Sequence, residues 1–489
     1  MAEHRTLSAT LEARPAPRAL DRLLAPFGDV RSGEGANALL LTLGVFLLLM
    51  AYYIIKVVRE PLILATGGAE LKSYTSAGQA VLLLFLIPAY GAFASRVNRE
   101  RLISDVTLFF AANLAIFYGL ALAHVPGIGV AFFVWVGIFN MMVIAQFWSF
   151  ANDIYTPEQG KRLFGIVGFG QTLGAILGGV AARLLIARLG VHALMLVAAG
   201  ILVAYVAVAR AVHRRSHRAA LAAGEAAAVD AALDRRGGFE LVLRDRYLLL
   251  IGLLLVTLNF VNTNGEYLLG KVVSAEAVRL VAAGANGAVP AAEFRGSFIG
   301  GFYAEYFTWV NAVAAVIQLF LVSRIMQRFG VRIALYVLPV VAFGGYAILA
   351  FAPLLPLIRV AKIGENALDY SLHNTARHAL FLPTSREAKY KAKAAIDTLF
   401  VRSGDLLSAG LVFAGGLLAL GPRDFAGINL ALILVWLLIV FALARRHRAL
   451  ADTSEKLEEA TRTGRLPPLP RGRVLAATPL PDSGGPDDA

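Results

Sequence analysis

The chain has no cysteine, which excludes disulfides, thiolate nucleophiles and cysteine-bound zinc. Charge is scarce: 16% of residues are Asp, Glu, Lys or Arg, where soluble domains carry about a quarter. The short alternating strands of an outer-membrane barrel are missing as well, which argues against that architecture. None of the eight histidines has metal-ligand spacing. His213 and His217 stand four apart, but in a solvated basic run, and neither metal nor cofactor is expected. Residues 1–36 are Arg-rich and lack a short apolar core followed by a small-residue cleavage site, so no signal peptide is read there. No nucleophile–base spacing stands out and no soluble stretch is large enough for a catalytic domain, so an enzyme is not expected.

What is abundant is apolar sequence, 58% of the chain. Runs long enough to cross a bilayer fall at 37–65, 74–94, 102–124, 128–150, 163–188, 190–212, 247–270, 298–323, 332–352, 354–380, 396–419 and 425–445. The expected fold is therefore an all-α membrane protein with twelve transmembrane helices, set in a lipid bilayer. Its parts would be a cytoplasmic arm (1–36), a six-helix bundle (37–212), a charged linker (213–246), a second six-helix bundle (247–446) and a disordered tail (447–489). The linker reads as a helical connector ending in a short amphipathic surface helix. Loops such as "SRVNRERL" (95–102), "SRIMQRFGVR" (323–332) and "SREAKYKAK" (385–393) are basic, whereas "TGGAELKS" (66–73) and "HVPGIG" (124–129) are not. The basic set marks the cytoplasmic side, which places both termini in the cytoplasm of an inner-membrane protein. The loop 271–297 is the exception, with Lys271, Arg279 and Arg295 balanced by Glu276 and Glu293. The net charge, 46 − 33 = +13, has the same loop origin, so no nucleic-acid partner is expected.

The halves resemble each other. "YYIIKVV" (52–58) aligns with "YLLGKVV" (267–273), "FASRVNRER" (93–101) with "LVSRIMQRFGVR" (321–332), and the stretch from Asp153 with the one from Phe381. Matching order argues for a duplicated six-helix unit. The two halves of the major facilitator fold are such a repeat, with substrate bound between them at mid-membrane. "GAFASRVNRER" (91–101) loosely resembles that superfamily's loop signature, with Ser95 in place of its usual acid.

Charges inside the apolar segments are the candidate site. In the tenth segment Arg359, Lys362, Asn366, Asp369 and His373 form one stripe at helical spacing, with Glu365 just outside it. Each membrane-centred charge costs ~2.5–3.5 kcal/mol, so Arg359, Lys362, Glu365 and Asp369 facing lipid would together cost on the order of 10–14 kcal/mol. The stripe must face protein or water, either as ion pairs between helices or as a cavity wall. Matching polar faces are Asn259, Asn262, Thr263 and Glu266; Tyr303, Glu305, Tyr306 and Trp309; Thr398, Arg402 and Asp405; and Asn140, Gln146, Ser149 and Asp153. In the first segment, "AYYIIKVVRE" puts Lys56 and Arg59 on one face, with Glu60 one turn beyond Lys56. Two cations beside one acid suit an anion, above all a phosphate. The alternative is that both side chains snorkel to the outer surface. "GIVGFGQTLGAILGG" (165–179) repeats Gly170, Gly174 and Gly178 every four residues, which reads as close helix packing and not as a phosphate loop.

These stretches carry a resemblance. "GEGANALLLTLGVFLLLMAYYIIKVVREPLILATGGAELKSY", "FWSFANDIYTPEQGKRLFGIVGFGQTLGA" and "DYSLHNTARHALFLPTSREAKYKAKAAID" are similar to segments of the non-mitochondrial ATP/ADP carriers of plastids and intracellular bacteria, over about 30–450. The resemblance implies a major facilitator-like fold and exchange of nucleoside tri- and diphosphates, with roles for Lys56, Arg59, Lys391 and Lys393. There are departures. Arg59 stands where those carriers commonly have Lys, Asn140 where they have an acid, and Asp405 where they have a Lys.

The expectation is a monomeric secondary transporter that exchanges a nucleotide or related phosphorylated anion by alternating access. Lys56, Arg59, Asn259, Asn262, Glu266, Tyr303, Arg359, Lys362, Asn366 and Asp369 would bind the small-molecule anionic substrate, with Tyr303 or Trp309 stacking on a base. Glu60, Asp153, Glu305, Glu365, Lys391, Lys393, Arg402 and Asp405 would gate or couple. Two alternatives stay open: a proton-coupled symporter or exporter of another organic anion, and a receptor or assembly factor that keeps the fold without transport.

Overall fold

The computed structural model describes residues 30–31, 34–94, 99–155, 157–223, 238–381, 384, 388 and 392–463. Among these there are helices and turns and no strand. The first half comprises α1 (Gly35–Ala94), α2 (Arg99–Leu122), α3 (Ile128–Ile154) and α4 (Pro157–Ala223). After the short α5 (Gly238–Arg244) the second half follows: α6 (Arg246–Ala282), α7 (Ala291–Val316), a π-helical stretch, α8 (Ser323–Phe351), α9 (Leu355–Leu368), a π-helical stretch Asp369–His373, α10 (Asn374–Ala379), α11 (Lys393–Ala395), α12 (Val401–Leu417) and α13 (Pro422–Thr463).

Among the described residues, eight stretches are long and apolar enough to cross a membrane, which makes this a multi-pass membrane protein. Three of them, running 53, 54 and 61 residues, contain a glycine whose backbone leaves the helix. Straight, the 60 residues of α1 would reach about 90 Å, some threefold the ~30 Å hydrocarbon layer. They do not run straight. Gly67 and Gly68 break the helix, Gly68 at φ 71° and ψ −167°, a conformation open to glycine. The Lys72 ammonium donates to Glu60 at 2.6 Å across this break, although twelve residues of helix would separate them by about 18 Å. The chain therefore folds back here. Gly190 (φ 74°) and Gly330 (φ 74°) break α4 and α8 in the same region of backbone space.

Gly170, Gly174 and Gly178 close α4 onto α1. A Cβ on Gly170 would lie 2.5 Å from the Thr42 carbonyl oxygen and one on Gly178 2.7 Å from that of Met50, and at Gly174 it would overlap the Phe46 carbonyl. The four-residue glycine repeat meets the backbone carbonyls of Thr42, Phe46 and Met50, which also stand four apart. The helix-packing reading of this motif holds.

α4 runs past 212 to Ala223, into the stretch expected as a helical connector. One boundary differs from expectation: α13 runs past 446 to Thr463, so residues 447–463 are helical. The reason is local: "ADTSEKLEEATRT" (451–463) holds strong helix formers and no Gly or Pro before Gly464. The arm through residue 29, linker residues 224–237 and the tail from 464 lie outside the described residues. Of the linker's surface helix, α5 keeps Val242 buried and leaves Phe239 and Leu243 exposed. Asp245 then caps α6, accepting from the Tyr247 amide at 2.7 Å.

Candidate functional site: a charged cavity between the halves

Helix α1 of the first half meets α6, α7 and α12 of the second. A cavity of about 290 Å³ lies at this junction, lined from the first half by Tyr52, Lys56, Arg59, Lys72 and Asn140, and from the second by Asn259, Asn262, Glu266, Tyr370, Arg402 and Asp405. Lys56 and Arg59 thus face the interior and do not snorkel. The lining carries four cations (Lys56, Arg59, Lys72, Arg402) and two carboxylates (Glu266, Asp405), 4 − 2 = +2.

Arg59 and Lys72 are both tied to Glu60, which is fully buried behind the wall. The Arg59 Nε donates to Glu60 at 3.0 Å, and its guanidinium lies 4.6 Å from the Phe133 ring centroid. Lys56 differs. Among the described residues it has no hydrogen bond or ion pair. Its ammonium rests 4.1 Å from the centre of the Phe307 ring, the geometry of a cation–π contact. It is the lining cation left free to meet a ligand.

On the opposite wall Lys362, 0% exposed, sits behind the cavity surface. It donates to the Asn262 side-chain oxygen at 2.7 Å and lies 3.2 Å from Glu365 and 3.8 Å from Glu266. Gly265 makes room for it, since a Cβ there would lie 2.8 Å from the Lys362 nitrogen. Glu266 accepts from Tyr306 and from Asn366, both at 3.1 Å. Lys72 lies 3.9 Å from Glu266, linking the halves across the cavity. Asp405 accepts from Asn259 at 2.9 Å and Thr263 at 2.8 Å, with Arg402 at 3.4 Å.

Not every expected residue is here. The stripe of the tenth segment extends about 21 Å along its axis, so its members reach different levels. Arg359 pairs with Glu305 at 2.9 Å, and Glu305 also holds Arg183 of the first half at 2.9 Å. This trio lines a third cleft, close to the starts of α7 and α9. Asn366 reaches the central cavity, Asp369 a second one, and His373 is buried against Trp436. Tyr303 is 0% exposed and off the cavity wall: it lies one turn before the cavity-lining Phe307, with its ring packed on Tyr306 and Phe307. Trp309 is exposed and lines neither cavity. Lys393 pairs with Asp397 at 3.7 Å, outside the central cavity. Asp153 lies on the last turn of α3 with its side chain outside the described residues, as is all of Lys391. The sequence pattern does not reveal Lys72, Tyr370 or Arg183. For Lys72 the signal was the Gly67–Gly68 pair just before it, which permits the fold-back.

Outside the membrane segments, Glu34 accepts from Arg162 at 2.8 Å. Burial pushes its carboxyl up, but hydrogen bonds from Arg162, the Arg31 amide and Gln159 outweigh that and hold it below the usual carboxylate range.

Helical halves around a polar, cation-bearing cavity define a membrane transport protein. The chain belongs to the Major Facilitator Superfamily, whose family model matches residues 41–364. It is 26% identical over 370 residues to ADP,ATP carrier protein 1 of Chlamydia muridarum, covering 66% of each chain. It is 24% identical over 378 residues to the protein of that name from Chlamydia pneumoniae, covering 67% of this chain and 68% of that one. The first match spans just under two thirds of the relative's own length. Among solved structures, the nucleoside transporter NupG superposes with TM-score 0.56 at 12% identity, over 85% of this chain and 98% of that one. A bacterial homologue of the iron transporter ferroportin gives 0.56 at 13%, over 84% and 98%. At such identities these likenesses speak for the fold.

Proposed function

We propose that the protein is a twelve-helix secondary transporter of the inner membrane that exchanges nucleotides, or closely related phosphorylated anions, by alternating access. Eight apolar stretches, three of them divided at a glycine, and the more polar segment from Leu355 to Ala379 give 8 + 3 + 1 = 12 spans. The basic loops put both termini in the cytoplasm. The observation that carries the reading is Lys56: a cation without a carboxylate partner among the described residues, in a cavity whose lining is net positive. A phosphate supplies the missing acceptor, and Arg59 and Arg402 add further donors. The similarity to carriers named for ADP and ATP supports a nucleotide as the phosphate's bearer. The trio Arg183–Glu305–Arg359, the pair Lys271–Glu70 at 2.9 Å and Lys72–Glu266 would hold the halves together in one state and part in the other.

The test is uptake of labelled ATP and ADP into vesicles containing the purified protein, with and without internal nucleotide. Exchange requires internal nucleotide. Lys56→Ala should slow uptake at least about tenfold, since a hydrogen bond to a charged group contributes ~1.5–3 kcal/mol. Uptake unchanged by Lys56→Ala removes the phosphate role, and uptake abolished by collapse of a proton gradient favours a symporter instead.

A further inference from the structure

We infer that a second cavity beside the cation-lined one seats the nucleobase, and that Asp369 selects among bases by the N–H donors they present. The inference rests on the nucleotide reading above.

The second cavity has a volume of about 420 Å³ and is walled by both halves, with Gln171 from α4 and Gln318, Asp369, Asn374 and Arg377 from the second half. Tyr370 lines both cavities and is 44% exposed, although it lies deep in the protein. One aromatic ring thus stands between a chamber with four cations against two carboxylates and a chamber lined by the amides of Gln171, Asn311, Gln318 and Asn374 with one carboxylate, Asp369, and one cation, Arg377. A ligand with an anionic end and a flat, hydrogen-bonding end matches that division, and base–aromatic stacking tolerates any base. Gln171 and Gln318 have no hydrogen bond among the described residues, so each keeps a donor and an acceptor for a heterocycle edge.

Asp369 supplies the discrimination. Each of the other carboxylates at or behind the two cavities has partners: Glu60 has Arg59 and Lys72, Glu266 and Glu365 share Lys362, and Asp405 has Asn259 and Thr263. Asp369 has neither donor nor cation within bonding distance among the described residues. An ionised carboxylate only accepts, and Asp369, half-buried on the cavity wall, is open to a donor brought by a ligand. Guanine offers a ring N–H and an amino group side by side, matching two carboxylate oxygens. Adenine offers its amino group alone, and uracil one ring N–H.

Isothermal titration of the purified full chain with GTP, ATP, UTP and tripolyphosphate tests this. GTP should bind most tightly. Asp369→Asn should weaken GTP about tenfold and leave tripolyphosphate unchanged. Tyr370→Ala should weaken all three nucleotides but not tripolyphosphate, whereas Lys56→Ala should weaken all four. If Asp369→Asn does not fold, Gln318→Ala tests the same chamber and should also weaken GTP while sparing tripolyphosphate. The inference is overturned if these chamber variants leave GTP binding intact or weaken tripolyphosphate equally. Unchanged affinities with a lost pH dependence of uptake would make Asp369 a proton site, which also overturns it. Wild-type protein that binds tripolyphosphate and the three nucleotides alike sinks the base chamber alone. Protein that binds none of them sinks the nucleotide reading as well.

Discussion

Replacing Glu60 by Gln removes one buried negative charge and leaves Arg59 and Lys72 facing each other with no counter-charge between them. Glu60 is 0% exposed, and Lys72 approaches it to 2.6 Å. At that separation and an effective dielectric near 20, the attraction is roughly 6 kcal/mol. Desolvation of both ions cancels part of it, and breaking a buried pair costs about 3–5 kcal/mol net. That is a large share of the ~5–15 kcal/mol that holds a typical protein folded. Glu60→Gln should therefore lower the midpoint of thermal unfolding in detergent, followed by tryptophan fluorescence, by on the order of 3–5 °C, since unfolding a chain of this length carries an entropy of ~1 kcal/mol/K. Adding Lys72→Met should restore at least half of the loss, because it removes the cation left over. A Glu60→Gln midpoint within 2 °C of wild type, or strictly additive losses in the double variant, would refute the reasoning. It would refute the fold-back at Gly67–Gly68 with it, since only that turn brings residues 60 and 72 together.

Other outcomes follow from the same geometry. Gly174→Leu should abolish stable, monodisperse protein, because its side chain has only the Phe46 backbone to move into, while Gly168→Ala, with open space around it, should purify normally by size exclusion. Because the chain has no cysteine, a single one at Ser76 in the cavity wall is a clean reporter. Glu305→Gln, which frees Arg183 and Arg359, should speed its labelling by a maleimide several-fold. Glu34 has a depressed carboxyl, so its contribution to stability is present above the unfolded carboxylate range and fades as pH falls through the folded value. A Glu34→Gln protein should accordingly show a smaller loss of thermal stability between neutral pH and pH 4 than wild type.

Much of the fold is legible in the sequence because hydrocarbon imposes long apolar runs and glycine marks where they turn. The breaks at Gly67–Gly68, Gly190 and Gly330 fall in or beside the gaps between the runs read from composition. The facing of Lys56, Arg59, Asn259, Asn262, Glu266 and Asn366 toward one cavity was legible for the same reason: charge and amide groups cannot be left to lipid. Helical spacing does not tell which level of the bundle a stripe member reaches. Arg359 went to an ion pair with Glu305 in a separate cleft and Lys362 behind the wall, although both share a face with Asn366. Tyr303 read as a wall residue and is a buried ring, because an aromatic side chain fits either place. Lys72 lay in a stretch read as loop, and its partner becomes visible only once the chain is folded.

The glycine zipper between α4 and the first limb of α1 has a mechanical consequence. Backbone approaches backbone there, with only the Thr42 methyl and the Tyr53 Cβ beside the contacts and no long side chain to slide or change rotamer. The two helices must travel as one rigid plate. Lys56, which would touch the cargo, and Arg183, which clasps the opposite bundle through Glu305, are bolted to that same plate. A rocking motion that unlatches the clasp therefore also carries the cargo's anchor with it.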